Sequence, residues 1–231
     1  MKVKLVCQNF IVMDEFLPTD AFAALWKAFQ SESFQSINTA GWNKVWGLTD
    51  GHGREGPSYL SDLTLAQKLK SPLPPLAYQT FIAELKALTD LVEQKFGWSR
   101  SVFDVFTLRS FIYPPDCGLA WHDDGKGRHG AFTIYVNQTW HPAWGGELLL
   151  DSGSEPSADQ STLAPFDNPH LIKQLAGSLG TYVFPWPNRL VLLKSGTLHT
   201  IKKVDAAAGH HARCSLTGFF LEESTVAKLR G

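Results

Sequence analysis

The spacing of apolar residues changes period near residue 100. Before it, residues 3–13 form an apolar, β-rich opening segment that reads as a first strand region. Pro18 and Thr19-Asp20 then open a helix over about 18–30, with Phe22, Leu25, Trp26 and Phe29 at helical spacing. A second helix is expected over 76–95, its stripe made by Phe81, Leu85, Leu88 and Val92. Between them, residues 47–58 are rich in Gly and polar side chains and read as a loop. After Trp98 the pattern alternates as strands do over 102–113, with further strands expected at 131–136, 147–151, 190–194 and 216–221. Residues 152–185 are a long Ser/Pro/Asp-rich excursion between two strands, a length typical of lids and binding loops. Helices first and many strands afterwards imply an α+β chain with an antiparallel core.

Composition narrows this picture. The chain has 231 residues, 44% of them hydrophobic, enough for one elaborated domain with a full core. We expect one domain over 1–231: a helical support region with a first strand over 1–101, and a β core over 102–222. Eight Trp, five Tyr and fifteen Phe exclude a disordered chain. The net charge of −1 offers nothing to nucleic acid or an anionic membrane, so neither is expected as a partner. Cys7, Cys117 and Cys214 are odd in number and form no Cys-x-x-Cys pair, which argues against disulfides and structural zinc. The opening residues lack a signal-peptide pattern, and no apolar run approaches the roughly 20 residues of a membrane span. The expected location is the cytoplasm.

The chemistry concentrates around Trp121-His122-Asp123-Asp124-Gly125. On a strand, His122 and Asp124 would share a face and Asp123 would take the other. An imidazole and a carboxylate on one face make half of a metal clip. His199 is the best distant partner, since it ends the apolar stretch from Asn188. Two histidines and one carboxylate with open positions suit non-haem Fe(II), but zinc hydrolases use the same donors. Arg213 and Ser215 share the next strand face, and a buried guanidinium with a neighbouring hydroxyl is a carboxylate receptor. A metal with open positions beside such a receptor fits 2-oxoglutarate.

The motifs, in order, are Tyr113-Pro114, His122-Asp123-Asp124, Gly145-Gly146-Glu147-Leu148, Pro185-Trp186-Pro187-Asn188-Arg189-Leu190-Val191, His199 and Arg213-Cys214-Ser215. Across about residues 102–222 the chain resembles the Fe(II)/2-oxoglutarate-dependent oxygenases, in particular the prolyl 4-hydroxylase-like branch. The resemblance implies a double-stranded β-helix, a jelly-roll relative of the cupins, with the N-terminal helices packed on one sheet. It implies that His122, Asp124 and His199 ligate Fe(II) and carry catalysis, and that Arg213 holds the distal carboxylate of 2-oxoglutarate with Ser215 near it. It further implies that Tyr135 hydrogen-bonds that carboxylate and that Tyr113 lines the co-substrate pocket. O2 would be the second co-substrate and ascorbate a stimulant. The implied reaction hydroxylates an unactivated C–H bond of a prolyl residue, an amino acid or a related small molecule, releasing succinate and CO2. The substrate is then a small molecule or a peptide; oligomeric state is not implied. One departure stands out: residues 205–211 lengthen the interval from His199 to Arg213 beyond what is usual in the branch.

Three rival functions remain at this stage, one of them a non-catalytic sensor that binds iron and the oxo acid without turnover. Nucleic-acid demethylases of the same superfamily carry a second arginine shortly after the first, where Phe219-Phe220 stand here. A cupin-like metal hydrolase or isomerase would use the same donors without 2-oxoglutarate. Other conspicuous residues have plainer readings. His210-His211 reads as a solvated turn, and His52, His129, His141 and His170 as surface or loop residues. Trp42, Trp46, Trp140, Trp144 and Trp186 read as anchors. Arg109 shares a face with Tyr113 and faces either the pocket or a salt bridge. The 47–58 and 152–185 segments are the expected lids.

Overall fold

A computed structural model describes residues 1–37, 53–124, 127–151 and 169–230, with side chains at 169–172 excepted. Residues 38–52, 125–126 and 152–168 lie outside it, so Trp42, Trp46, His52, the side chain of His170 and half of each expected lid are outside the described residues.

The chain opens with a hairpin, β1 (Lys2–Val6) and β2 (Phe10–Asp14), then α1 (Thr19–Gln30) and a short β3 (Gln35–Ser36). Next come β4 (Arg54–Leu60), α2 (Leu63–Lys68), α3 (Leu76–Lys86) and α4 (Thr89–Phe96). The core strands follow: β5 (Thr107–Tyr113), β6 (Leu119–His122), β7 (Arg128–Tyr135) and β8 (Leu148–Asp151). After α5 (Pro169–Gly177) come β9 (Gly180–Val183), β10 (Leu190–Lys194), β11 (His199–Ile201), β12 (Arg213–Leu221) and α6 (Glu223–Arg230).

Among the described residues, eight strands form one sheet in the order β1-β2-β10-β7-β12-β5-β4-β3, and four form a second, β6-β11-β8-β9. From β5 onward the chain passes back and forth between the sheets, pausing in the small one for β8 and β9, and every pairing between these strands is antiparallel. That alternation is the double-stranded β-helix, in which closure of two facing sheets buries the strands' inner side chains. Phe10, Val12, Ala131, Val191 and Leu193 of the large sheet meet Leu148, Leu150 and Val183 of the small one. The large sheet's other face is covered by helices. Phe22, Leu25 and Phe29 of α1, Phe81 and Leu85 of α3, and Val92 and Phe96 of α4 pack there with Phe106, Phe132 and Phe220.

Three elements depart from the sequence pattern. The helix expected over 76–95 is two helices, because Ala87 and Leu88 interrupt it and α4 ends at Gly97 in the left-handed region. The loop expected over 47–58 is, from Arg54, strand β4 paired with β5. The Pro in Gly56-Pro57 disguised it, and the register slips by one residue between Glu55 and Ser58, a bulge that accommodates both. The long excursion carries α5 and β9 within its described part.

The Asn188-Arg189 motif is a structural stitch. The Arg189 guanidinium donates to both Asp14 carboxylate oxygens, at 2.6 and 3.0 Å, and to the Phe184 carbonyl. The Asn188 amide donates to the Leu17 carbonyl and its oxygen accepts from the Leu17 N–H. Together they pin the β2–α1 corner to β10.

Candidate active site

Strand pairing assembles the triad. β6 and β11 are adjacent, and His122 stands directly opposite His199. Their rings lie 4.2 Å apart between centroids. Each ring donates through Nδ1 to the carbonyl two residues earlier, His122 to Ala120 at 2.7 Å and His199 to Thr197 at 2.8 Å. A carbonyl can only accept, so both protons sit on Nδ1 and both Nε2 lone pairs are left facing inward. The Asp124 carboxylate meets them, 3.4 Å from His122 Nε2 and 3.3 Å from His199 Nε2. Three acceptors converging at this range repel one another unless a cation lies between them. His122, Asp124 and His199 are the described group whose donor atoms all fall within 4.8 Å, and they could hold a metal ion.

The route by which Asp124 arrives differs from the alternation argument. β6 ends at His122, and Asp124 has φ +68°, in the left-handed region that Asp tolerates better than most residues. Arg128 secures that turn by donating to the Asp124 carbonyl at 2.7 Å, with its guanidinium 3.7 Å from the Phe219 ring centre.

Arg213 lies across the same cavity. It is 1% exposed, the largest fully buried side chain, and makes no ion pair among the described residues. Its register puts it opposite Tyr113 on β5, and Ser215 opposite Tyr135 on β7. The guanidinium rests against both rings, 5.4 Å from Tyr113 and 4.9 Å from Tyr135, and approaches the Ser215 hydroxyl at 3.4 Å. Arg213 Nε and Tyr135 Oη are buried without a hydrogen-bond partner. Burial pushes both phenols above their ordinary range, with the Arg213 charge opposing it, so both remain neutral donors near neutral pH. Burial also pushes the neighbouring Cys214 thiol up to about 12, which leaves it unreactive.

A cavity of about 480 Å³ connects the two halves. Its wall includes His122, Asp124, His199, Tyr113, Arg213 and Ser215. Tyr135 is not on that wall; it forms the shelf beneath Arg213. The long turn before β12 does not disturb this arrangement. Asp205 caps a short 3-10 turn, Ala208 is buried, and His211 stacks on Trp144 at 4.3 Å. The extra residues therefore fold outward and leave Arg213 in register. Gly145 and Gly146 are both at positive φ, and Gly146 lies against the Arg213 stem.

Residues 108–221 match the sequence family described as the 2OG-Fe(II) oxygenase superfamily. That match spans the β core that carries the site, just under half of the chain, and makes the chain similar to that superfamily. The match, with the site it spans, indicates a dioxygenase; the family matched works with Fe(II), 2-oxoglutarate and O2. No curated protein matches it in sequence. In fold it is similar to a prolyl-4-hydroxylase from Pseudomonas putida: TM-score 0.63, 18% identity, 93% of this chain and 94% of that one covered. It is also similar to a prolyl hydroxylase from Trichoplax adhaerens, solved with a hypoxia inducible factor peptide, at TM-score 0.60 and 17% identity, covering 96% and 87%. A third similar fold is SnoN, a non-haem α-ketoglutarate-dependent epimerase from nogalamycin biosynthesis, at TM-score 0.59 and 13% identity, covering 93% and 79%.

The residues of this oxygenase present fit the absent groups. The triad offers acceptors only, and a buried, unpaired guanidinium calls for an anion. Sequence reasoning did not single out Thr133, Thr217, Ser58 or Arg128. Thr133 and Thr217 continue the alternation from Tyr135 and Ser215 and were legible that way. Ser58 was hidden in the supposed loop, and Arg128 acts across a turn that no periodicity reports. Among the other histidines, His129 approaches Glu223 at 3.3 Å, and His141 caps a short turn through Nδ1. Among the described residues, no helix is long and apolar enough to cross a membrane.

Proposed function

We propose that this oxygenase hydroxylates an unactivated C–H bond of a prolyl residue, an amino acid or a related small molecule, with 2-oxoglutarate as co-substrate. The carrying observation is Arg213: a fully buried, unpaired guanidinium opening on the cavity that also holds three converging metal-ligand acceptors. His122, Asp124 and His199 would hold Fe(II), which supplies oxidative decarboxylation of the oxo acid to succinate and CO2 and oxidation of the substrate carbon. Arg213 would take the distal carboxylate through its fork, and the Ser215 hydroxyl would donate beside it. Tyr113 would close the pocket, and Tyr135, which the family resemblance places on the carboxylate, would instead stiffen Arg213 from below. The two backbone carbonyls behind His122 and His199 hold the imidazoles in the ligating tautomer. The apolar wall residues Leu119, Leu148 and Ile201 keep water away.

The prolyl and amino-acid leaning draws on the solved prolyl hydroxylases of similar fold. Three free thiols suit a reducing compartment, and we place the protein in the cytoplasm. The test is an anaerobic absorbance titration. Fe(II) and then 2-oxoglutarate should develop a weak visible charge-transfer band that saturates at one equivalent. Arg213→Ala should shift that saturation to much higher 2-oxoglutarate while iron loading persists. A folded, iron-loaded protein without the band would overturn the proposal.

A further inference from the structure

Beyond the Arg213 level, the cavity wall carries a second polar row. Strand register aligns Ser58 of β4 with Arg109 of β5, Arg109 with Thr217 of β12, and Thr217 with Thr133 of β7. All four line the cavity. Thr217 is four residues along β12 from Arg213, so this row lies roughly 13 Å from the co-substrate's anchor. The two threonine hydroxyls satisfy each other at 3.0 Å. Arg109 is different: it is the row's one charged member, and its side chain is 34% exposed. Its Nη1 donates to Glu55 Oε2 at 2.6 Å, and the Glu55 carboxylate, 13% exposed, also accepts from Gln35 at 3.3 Å.

The bulge in β4 makes this pairing possible. Glu55 and Ser58 are three residues apart and would face opposite sides of a regular strand. The extra residue brings both alongside β5, Glu55 opposite Phe111 and Ser58 opposite Arg109. The bulge turns the Glu55 carboxylate toward Arg109: the arginine lines the cavity, and Glu55 stands beside it, next to the wall. The Arg109 fork has five N–H donors, and Glu55 occupies one edge of it. Its other donors can take a carboxylate while Glu55 remains beside them to take a cation.

Resting on the oxygenase reading above, we propose that the prime substrate is a free α-amino or imino acid, held as a zwitterion by Arg109 and Glu55. Arg109 takes its carboxylate and Glu55 its ammonium. A ligand carrying only one charge would face the opposing member of the pair unmatched. A prolyl residue within a peptide carries neither charge at this point and would leave the pair idle. A cavity of about 480 Å³ is also of small-molecule size.

The test first confirms the 2-oxoglutarate charge-transfer band in the Fe(II) protein. It then measures binding to the Mn(II)- and 2-oxoglutarate-loaded protein by calorimetry. The probes are the proteinogenic L-amino acids, their N-acetyl and carboxamide derivatives, and an internal prolyl peptide. At least one free amino acid should bind, and blocking either end should weaken it tenfold or more. Arg109→Gln should weaken the free acid tenfold or more yet leave its carboxamide unchanged. Glu55→Gln should do the same for the free amine and leave the N-acetyl form unchanged. A purely structural ion pair would weaken free and blocked forms alike. If the band forms but no free amino acid binds, or blocked forms and the peptide bind as well or better, the zwitterion proposal is overturned while the oxygenase reading stands. If the band never forms, both are overturned. Should either variant fail to keep the band, the comparison of free and blocked ligands on the unaltered protein decides alone.

Discussion

Gly146 makes the proposed 2-oxoglutarate receptor depend on one absent methyl group. It has φ +74°, and a Cβ there would come 3.0 Å from Arg213 Cδ and 3.5 Å from the Trp140 ring. Carbon atoms prefer about 3.5–4.0 Å, so the Arg213 stem must yield by roughly half an ångström or more. It has little room, since its guanidinium is stacked against Tyr113 and Tyr135. Gly146→Ala therefore has two costs. The left-handed backbone conformation costs about 1–2 kcal/mol with any L side chain. Displacing the guanidinium forfeits part of a charge-assisted contact worth about 1.5–3 kcal/mol, or roughly tenfold in 2-oxoglutarate affinity. Gly97 separates the two terms, because it has φ +69° and nothing within 4 Å of a Cβ. Gly97→Ala should lower Tm by about 2–8 °C and leave the anaerobic 2-oxoglutarate titration unchanged. Gly146→Ala should lower Tm by at least as much and raise half-saturation about tenfold, with Fe(II) loading intact. A destabilised Gly146→Ala protein with wild-type 2-oxoglutarate affinity would refute the coupling to Arg213.

Three further outcomes are expected. Asp124→Gly accepts the +68° backbone angle while removing the carboxylate, so Fe(II) affinity should fall at least tenfold without loss of apo-protein Tm; retained stoichiometric iron would remove Asp124 from the ligand set. Asp14→Asn and Arg189→Met should each destabilise by about 1.5–3 kcal/mol in urea, and a double-mutant cycle should show coupling above about 1 kcal/mol; additive losses would mean the stitch contributes nothing as a pair. Glu32 is buried against Tyr59 and Tyr78, which raises its carboxyl above the ordinary 4.5 despite the Tyr59 hydroxyl at 2.9 Å. A carboxyl raised on folding stabilises fully below its unfolded value, and that stability is lost as pH rises through the folded value. Glu32→Gln should therefore gain Tm relative to wild type as pH rises from 4 to 8; a constant difference across that range would contradict the assignment.

Local pattern reached far in this chain. Alternation located the strands that became β5, β7, β8, β10 and β12, and helical stripes located α1 and the α3–α4 region, because burying one face writes a period into the sequence. Three short strands escaped: β6, β9 and β11 have three or four residues each and lack the unbroken apolar run that marks the equally short β8. β4 was masked by Gly56-Pro57, whose bulge only makes sense against β5. The site divides the same way. His122, His199, Arg213 and Ser215 were nameable from residue type, spacing and motif order, because an imidazole or a guanidinium in a strand has few uses. Their meeting was decided by closure of the two sheets, which sets His122 opposite His199 and Tyr113 opposite Arg213. The sequence determined which chemical groups the protein carries and the period of the elements that bear them. The tertiary structure decided which groups share a cavity, that Asp124 arrives through a left-handed turn held by Arg128, and that Tyr135 lies beneath Arg213 instead of on the wall. Register and turn geometry are properties of pairs of segments distant in sequence, and no single stretch of chain encodes them.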